Sequence, residues 1–161
     1  MLTSTGRKAY AVYPEKGASK TLSGEPAGHG GLVFSPNGKA LIFRQVEKVK
    51  SQTGGIVLKH WLTFWDIQDD KETRRLTGML DFPAVSPDGK LIAAGGAELV
   101  GEGDCAHYEG RVRIWDATGK MKHTFDAQGT GAASGVCFSP AGKMVAALSG
   151  ENSAVRLWEL P

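Results

Sequence analysis

The sequence predicts an all-β protein in which one small antiparallel sheet is repeated and the copies stack as the blades of a partial β-propeller. A Ser-Pro-x-Gly-Lys turn occurs three times, at intervals of 51 and 53 residues, beginning at Ser35, Ser86 and Ser139. A strand that closes on tryptophan follows each turn, at Trp65, Trp115 and Trp158. The 22 glycines cluster between short apolar runs, as tight connections between strands require. Self-similarity at such a period indicates an array of like units.

The chain opens part-way through a repeat. Apolar and aromatic residues predict a strand from Lys8 to Tyr13, which aligns with the third strand of a later unit, and a fourth strand from Ser19 to Ser23. We therefore expect residues 8–23 to form a partial blade. The first complete blade follows at residues 31–76. Its parts are a strand, the turn Pro36-Asn37-Gly38, a returning strand over 39–44, a long connection over 46–55, and two more strands over 56–67 and 73–76.

The next two units repeat this order. In the blade at residues 82–125 we expect a strand, the turn at Ser86, a returning strand to Ala94, a loop over residues 95–110, and two closing strands. Residues 135–160 are expected to form a last blade that has three strands and lacks its fourth. The whole chain, residues 1–161, is predicted to be one domain.

The predicted strands are apolar on both faces. In the strand before Asp116, Val112 and Ile114 point to one face and Trp115 points to the other. A sheet of four short strands is not stable alone in water, and two apolar faces require cover on both sides. Neighbouring copies of the same sheet supply that cover. The architecture that follows is a β-propeller of about three to three and a half blades.

The turn SPDGK and the strand ends VRIWD and VRLWE resemble the blades of WD-repeat (WD40) propellers, and the resemblance extends over nearly the whole chain. The residues that match the repeat are Ser35, Trp65, Asp66, Ser86, Trp115, Asp116, Ser139 and Trp158. The resemblance implies a scaffold that binds other proteins, with no catalysis and no cofactor. The Gly-His pair of WD repeats is missing at its usual place, eleven residues before each turn serine. That departure predicts an altered hydrogen-bond network around the tryptophans.

The number of blades predicts that the propeller is incomplete. Closed propellers have about four to eight blades, so three cannot close a ring within one chain. One interpretation is that another copy of the chain, or a second polypeptide, completes the propeller. The other is that the chain is a C-terminal fragment of a larger WD-repeat protein, with no independent role. The strand KAYAVY at residues 8–13 favours the second interpretation, because it is surplus in a ring of two copies.

Two units carry an insertion after their second strand. The turn serine and the closing tryptophan are 30, 29 and 19 residues apart in the three units, so the first two insertions have ten or eleven residues. Both emerge on the same face of the propeller, where loops on a rigid scaffold usually bind partners. The predicted partner-binding residues are Lys48, Lys50, Glu98, Glu102, Asp104, His107, Tyr108 and Glu109. The alternative interpretation is that these are surface loops without a partner, because long insertions cost little stability.

The remaining classes of function are disfavoured. Asp104, Cys105 and His107 lack the paired spacing of a four-ligand zinc site, and no nucleophile with an oriented base can be recognised. A propeller hydrolase is the enzymatic alternative, but the inner strands GLVFS, FPAVS and GVCFS are apolar. The net charge is only +2, without an extended basic stripe or a membrane span, so we expect neither nucleic acid nor membrane as a partner. Two cysteines and no signal peptide predict a cytoplasmic protein.

Overall fold

A computed structural model describes residues 10–13, 18–23, 31–51, 54–78, 80–101, 103–149 and 154–161. These residues form thirteen β-strands and one short 3₁₀ turn, Gly103–Cys105. The strands make four antiparallel sheets, and within each sheet the hydrogen-bonded neighbours follow one another in the sequence. No helix in the described residues is long and apolar enough to cross a membrane. The all-β prediction is therefore confirmed.

Each sheet is one unit of the predicted repeat. The leading half-blade has two strands, β1 (Tyr10–Tyr13) and β2 (Ala18–Thr21). The first blade has four, β3 (Leu32–Phe34), β4 (Ala40–Lys50), β5 (Ile56–Asp66) and β6 (Lys71–Thr77). The second blade also has four, β7 (Leu80–Val85), β8 (Leu91–Val100), β9 (His107–Asp116) and β10 (Met121–Thr130). The third blade has three, β11 (Ser134–Phe138), β12 (Met144–Ser149) and β13 (Ala154–Glu159).

The three turn serines perform the same task in each blade. In the second blade, Gly89 N–H donates to the Ser86 carbonyl at 2.9 Å, and the Ser86 hydroxyl accepts from Leu91 N–H at 2.9 Å. Ser35 and Ser139 make the equivalent bonds in the other blades. The glycine has φ near 70° in all three turns, a conformation that L side chains rarely adopt. The recurrent Ser-Pro-x-Gly-Lys sequence therefore specifies a turn with a fixed hydrogen-bond pattern.

The core lies between the blades rather than inside any one of them. Ile42, Leu62 and Phe64 of the first blade pack against Ile92 and Trp115 of the second. A matching cluster between the second and third blades is built from Ala93, Val112, Ile114, Val136, Val145 and Ala147, with Trp158 against it. Each closing tryptophan thus faces the preceding unit. Because burial on both faces comes from neighbouring sheets, the blades depend on one another for stability.

The leading half-blade leads into a chain segment that covers the first blade. Leu22, directly after β2, is completely buried in a cluster with Leu41, Phe43 and Ile67. The next residue, Ser23, donates its backbone N–H to the Asp70 carboxylate at 3.0 Å. This segment therefore shields the side of the first blade that faces away from the second.

The structure corrects the prediction of two long loops. The expected connection over residues 46–55 belongs mostly to β4, which pairs with β5 without a register shift from Ala40↔Asp66 to Lys50↔Ile56. The expected loop over 95–110 is likewise strand except for the short link after Val100, and pairing runs from Leu91↔Asp116 to Val100↔His107. The prediction failed because an arm of two strands has water on both faces. Polar residues are therefore compatible with strand structure in these two arms.

Candidate interaction surface

The two insertions form hairpin arms that project from the same end of their blades. The first arm comprises residues 46–60 of β4, β5 and the turn between them, and the second arm comprises the equivalent residues 97–110 of β8 and β9. Hydrogen bonds across Ser51 and Gly55 close the first arm, with Ser51 N–H donating to the Gly55 carbonyl at 2.7 Å. Both arms are thus ordered extensions of the blade sheets, and they carry the residues predicted to bind a partner.

The first arm presents lysines beside exposed apolar residues. Lys48 pairs across the sheet with Leu58, and Lys50 pairs with Ile56. Directly opposite residues share a face of the sheet, so this face combines two cations with two apolar side chains. Lys48 and Lys50 are exposed, as predicted, but they lie on a strand instead of a loop.

The second arm contains a network of charged side chains. Glu98 and Glu109 lie opposite each other, an arrangement in which like charges repel. Arg111 compensates this repulsion, because its guanidinium pairs with Glu98 at 3.4 Å, with Asp126 at 3.2 Å and with Glu109. Arg113 pairs with Glu98 at 3.4 Å. These two arginines, which the sequence analysis did not select, hold the two predicted glutamates in place.

His107 extends this network towards the tip of the second arm. Its Nδ1 lies 3.1 Å from the Cys105 carbonyl oxygen and its Nε2 lies 3.2 Å from the Glu109 carboxylate. Both neighbours stabilise the protonated ring, so the carbonyl first and the carboxylate second raise the pKa of His107. Hydrogen bonds from Arg111 and His107 lower the pKa of Glu109. The network therefore favours an ionised carboxylate and a cationic ring in contact.

Tyr108 faces the other side of the second arm. It pairs with Leu99, and the two side chains are 46% and 57% exposed, which makes them a small apolar patch. Asp104 is exposed within the 3₁₀ turn at the tip. Glu102 lies outside the described residues. The structure thus brings Glu98, His107 and Glu109 together and leaves Tyr108 on the opposite face.

The described residues contain no group of three or more His, Cys, Asp or Glu that could hold a metal ion. In the same part of the chain Cys105 and Cys137 are both unpaired and exposed. The arms can therefore offer charge, hydrogen bonds and apolar contact area, which are the elements of a binding surface.

A second candidate surface lies on the outer face of the third blade, which an unclosed propeller is expected to leave uncovered. Counted from the closing tryptophan, Ile114 and Leu157 occupy the same position of the repeat, yet Ile114 is fully buried and Leu157 is 61% exposed. Val112 and Val155 form the same contrast, at 0% and 62% exposed. The second blade is covered by the third at these positions, whereas no described residue covers the third blade there.

Comparison with protein-family models places one match on the chain. The family described as WD domain, G-beta repeat matches residues 119–159, which include all of β10 and all of the third blade. The match ends on Trp158 and Glu159, where the sequence analysis placed the end of the repeat. The third blade and the strand before it therefore match a WD repeat, and the chain as a whole is a partial β-propeller.

Solved structures that are similar to the chain agree with the propeller fold. The chain superposes on TolB from Acinetobacter baumannii with a TM-score of 0.55 and 13% identity, covering 92% of this chain and 36% of TolB. It also superposes on the tricorn protease with a TM-score of 0.53 and 16% identity, covering 86% of this chain and 12% of that protein. The chain thus spans little more than a third of one relative and about an eighth of the other. No curated protein sequence matches it.

The closing tryptophan of the first blade has a polar partner within its own blade. Trp65 Nε1–H donates to the Asp70 carboxylate at 2.9 Å, and Asp70 also accepts from the Ser23 backbone. Asp70 lies in the turn between β5 and β6, in a left-handed conformation with φ of 50°. The indole of the first blade therefore bonds to a turn carboxylate, which links the blade to the segment before it.

Proposed function

We propose that this partial propeller is a non-catalytic protein-interaction scaffold whose third blade packs against a second copy of the chain. The observation that carries the proposal is the exposure of Val155 and Leu157 at repeat positions that are buried in the second blade. Exposed apolar faces of this kind mark interfaces in soluble proteins. WD40-type repeats support the general role, because such propellers serve as platforms for other proteins.

A second copy fits this face because the face is apolar and nearly uncharged. The pairing of β12 with β13 places Ala146 beside Leu157 and Leu148 beside Val155. Leu148 is 45% exposed, so the patch extends over both strands. Two-fold symmetry would bring the same patch of both copies together, and no charge on these four side chains opposes that contact. Burying two large aliphatic side chains on each copy would contribute several kcal/mol, about 1.5–3 kcal/mol for each full side chain.

The oligomeric state tests this proposal. We expect light scattering to give a dimer mass for the purified chain and a monomer mass for Leu157→Asp. Leu99→Asp is the matched control, because Leu99 is 57% exposed on the second arm and should not affect the dimer. Far-UV circular dichroism checks that both variants keep the fold. A wild-type chain that stays monomeric and soluble at every concentration would refute the proposed dimer contact on the third blade. A dimer that persists in Leu157→Asp would refute it as well.

The non-catalytic part of the proposal rests on the apolar character of the inner strands. Val33 of β3, Ala84 of β7 and Cys137 of β11 occupy equivalent positions and offer neither a carboxylate nor an imidazole. The proposed compartment is the cytosol, which two unpaired cysteines support. Metal analysis together with a panel of hydrolase substrates provides the test. Bound metal with measurable turnover would overturn the non-catalytic assignment.

A further inference from the structure

The first arm has an edge that its own blade leaves unpaired. β6 ends at Thr77, opposite Trp61, so β5 continues for the five residues 56–60 past the end of its neighbour. Gly78 N–H donates to the His60 carbonyl at 3.1 Å, and there the chain leaves the sheet with φ of 142°. In the parts of the chain that the structure describes, no strand pairs with this side of β5 beyond His60. A strand edge of four residues is therefore open.

The second arm has the same edge, but its own fourth strand covers it. β10 continues to Thr130, which pairs with Glu109, and Gly131 N–H donates to the Tyr108 carbonyl at 3.0 Å. Counted back from the closing tryptophan, Tyr108 and Glu109 are the equivalents of Leu58 and Lys59. Of the two arms, only the first therefore leaves this edge unpaired in the described residues.

A shorter chain segment explains why β6 does not cover its arm. Thr77 and Asp126 are equivalent, because they pair with residues four positions before the closing tryptophans Trp65 and Trp115. From there to the next turn serine the chain has nine residues in the first blade and thirteen in the second. The first blade therefore lacks the four residues that would extend its fourth strand along the arm.

The open edge presents backbone groups in the pattern of a strand template. The His60 carbonyl points towards this edge, since it accepts from Gly78. In an antiparallel sheet the N–H and C=O groups of alternate residues point to the same side. The backbone groups of Leu58 and Ile56 consequently point outward, while those of Val57 and Lys59 pair with β4. Rows of such groups are where an extended peptide can add as a further strand.

Side chains beside the edge line a groove. The groove has a volume of about 540 Å³ and lies where β6 ends, lined by Leu58, Lys59, His60, Trp61, Arg75, Thr77 and Gly78. Its volume is in the range of sites that hold ligands. Ile56, Val57 and Leu58 are 71%, 48% and 49% exposed, so both faces of the edge offer apolar contacts. The Arg75 guanidinium lies over the Trp61 ring, 4.4 Å from its centre.

The charge of the first arm favours an acidic occupant. Lys48, Lys50 and Lys59 are exposed, and Glu47 is the one carboxylate in the sequence of the arm. Arg75 adds no free charge, because Glu72 pairs with it. Two copies joined edge to edge would bring their lysines together, so a second copy fits this site poorly. An extended segment that carries acidic residues would be attracted to it.

We infer that the outer edge of β5, residues 56–59, binds an extended acidic peptide of a partner protein as an added strand in line with β6. The peptide backbone bonds to Ile56 and Leu58, its apolar side chains contact these two residues on one face of the sheet, and its carboxylates meet Lys59 on the other face. Lys48 and Lys50 add to the positive charge that attracts it. The inference rests on the proposed scaffold function, but it uses a surface on the first blade instead of the third. It also explains why Lys48 and Lys50 stand beside apolar residues.

A synthetic peptide tests the edge directly. The probe is a fluorescein-labelled octapeptide of alternating valine and glutamate, titrated with the full chain and followed by fluorescence anisotropy. We expect saturable binding that weakens as salt is added. The same peptide with every second backbone amide N-methylated should bind at least about tenfold more weakly, because it cannot donate to the edge. Equal binding of the two peptides would overturn the inference.

Two pairs of variants locate the site. Leu58→Pro removes the outward N–H while leaving the β4 hydrogen bonds, and should lower affinity about tenfold more than Leu58→Thr, which keeps the N–H. Lys59→Glu should weaken binding, whereas Lys122→Glu, the same charge change on β10, should not. Equal effects of the two lysine variants would refute the site. If Leu58→Pro dissociates the dimer, the edge of β5 binds a second copy, and the inference that it binds a partner peptide is refuted.

The two proposals fail independently. Leu157→Asp should leave affinity for the peptide unchanged, because Leu157 lies on the third blade. A chain that binds the peptide but remains monomeric refutes only the proposed dimer contact on the third blade. A dimer that does not bind the peptide refutes only the inference that the outer edge of β5 binds a peptide. If Leu58→Pro does not fold, the comparison of the two peptides on the wild-type chain still decides the question.

Discussion

Replacing Ile114 and Leu157 by alanine should separate a buried repeat position from its exposed equivalent. Ile114 is completely buried between the second and third blades, in contact with the cluster that contains Val136 and Val145. Truncating such a side chain loses its transfer free energy and leaves a cavity, at a cost of about 2–5 kcal/mol. Leu157 is already 61% exposed, so its truncation removes less buried surface and leaves no cavity. We expect Leu157→Ala to lower the free energy of unfolding of the monomer by about 1 kcal/mol or less.

Urea unfolding followed by tryptophan fluorescence and by far-UV circular dichroism measures the difference. Coincident transitions by the two probes would justify a two-state free energy. At low protein concentration we expect Ile114→Ala to lower the free energy of unfolding by at least about 1 kcal/mol more than Leu157→Ala does. At high concentration the loss for Leu157→Ala should grow, because a second copy stabilises only the wild-type folded chain.

Equal losses for the two variants at low concentration would refute this reasoning. Such a result would mean that Leu157 is buried in the monomer, so that repeat position alone sets burial. A loss for Leu157→Ala that does not change with concentration would contradict the second copy as the cover of the third blade.

Two further predictions concern the turns and the second arm. Gly89→Ala should destabilise the chain more than Gly142→Ala in thermal unfolding. Both glycines have positive φ, 73° and 71°, which costs about 1–2 kcal/mol for a side chain, but only at Gly89 would the new Cβ lie 2.8 Å from Pro36 Cγ. His107 should titrate above the ordinary histidine pKa of about 6.5 in an NMR pH series, and Glu109→Gln should lower that pKa. Since the folded-state pKa is raised, the stabilisation is complete below pH ~6.5 and disappears as pH rises through the folded value.

Much of the fold could be predicted because turns and strand ends are encoded locally. The Ser86 hydroxyl and the positive φ of Gly89 belong to residues within a few positions of each other, so a short sequence specifies the turn. Three copies of that turn, each followed by a strand that closes on tryptophan, were enough to predict stacked four-stranded sheets.

The candidate sites depended on contacts that no local pattern contains. Lys48 and Lys50 read as loop residues because polarity is the usual sign of a loop, yet an arm with water on both faces accepts polar residues in a strand. The pairing of Arg111 with Glu98, Glu109 and Asp126 joins three strands, and neighbours along the sequence do not indicate it.

The repeat, the turns, the antiparallel sheets and the apolar faces of the strands follow from the amino-acid sequence. The tertiary structure decided which of those faces and edges are covered. Ile114 and Leu157 have the same place in the repeat and a similar side chain, but only Ile114 has a following blade against it. Leu58 and Tyr108 are equivalent on their arms, but only Tyr108 is bonded by the chain that follows its own fourth strand. Burial and edge pairing are properties of what packs against a residue, so they are decided only when the blades are assembled.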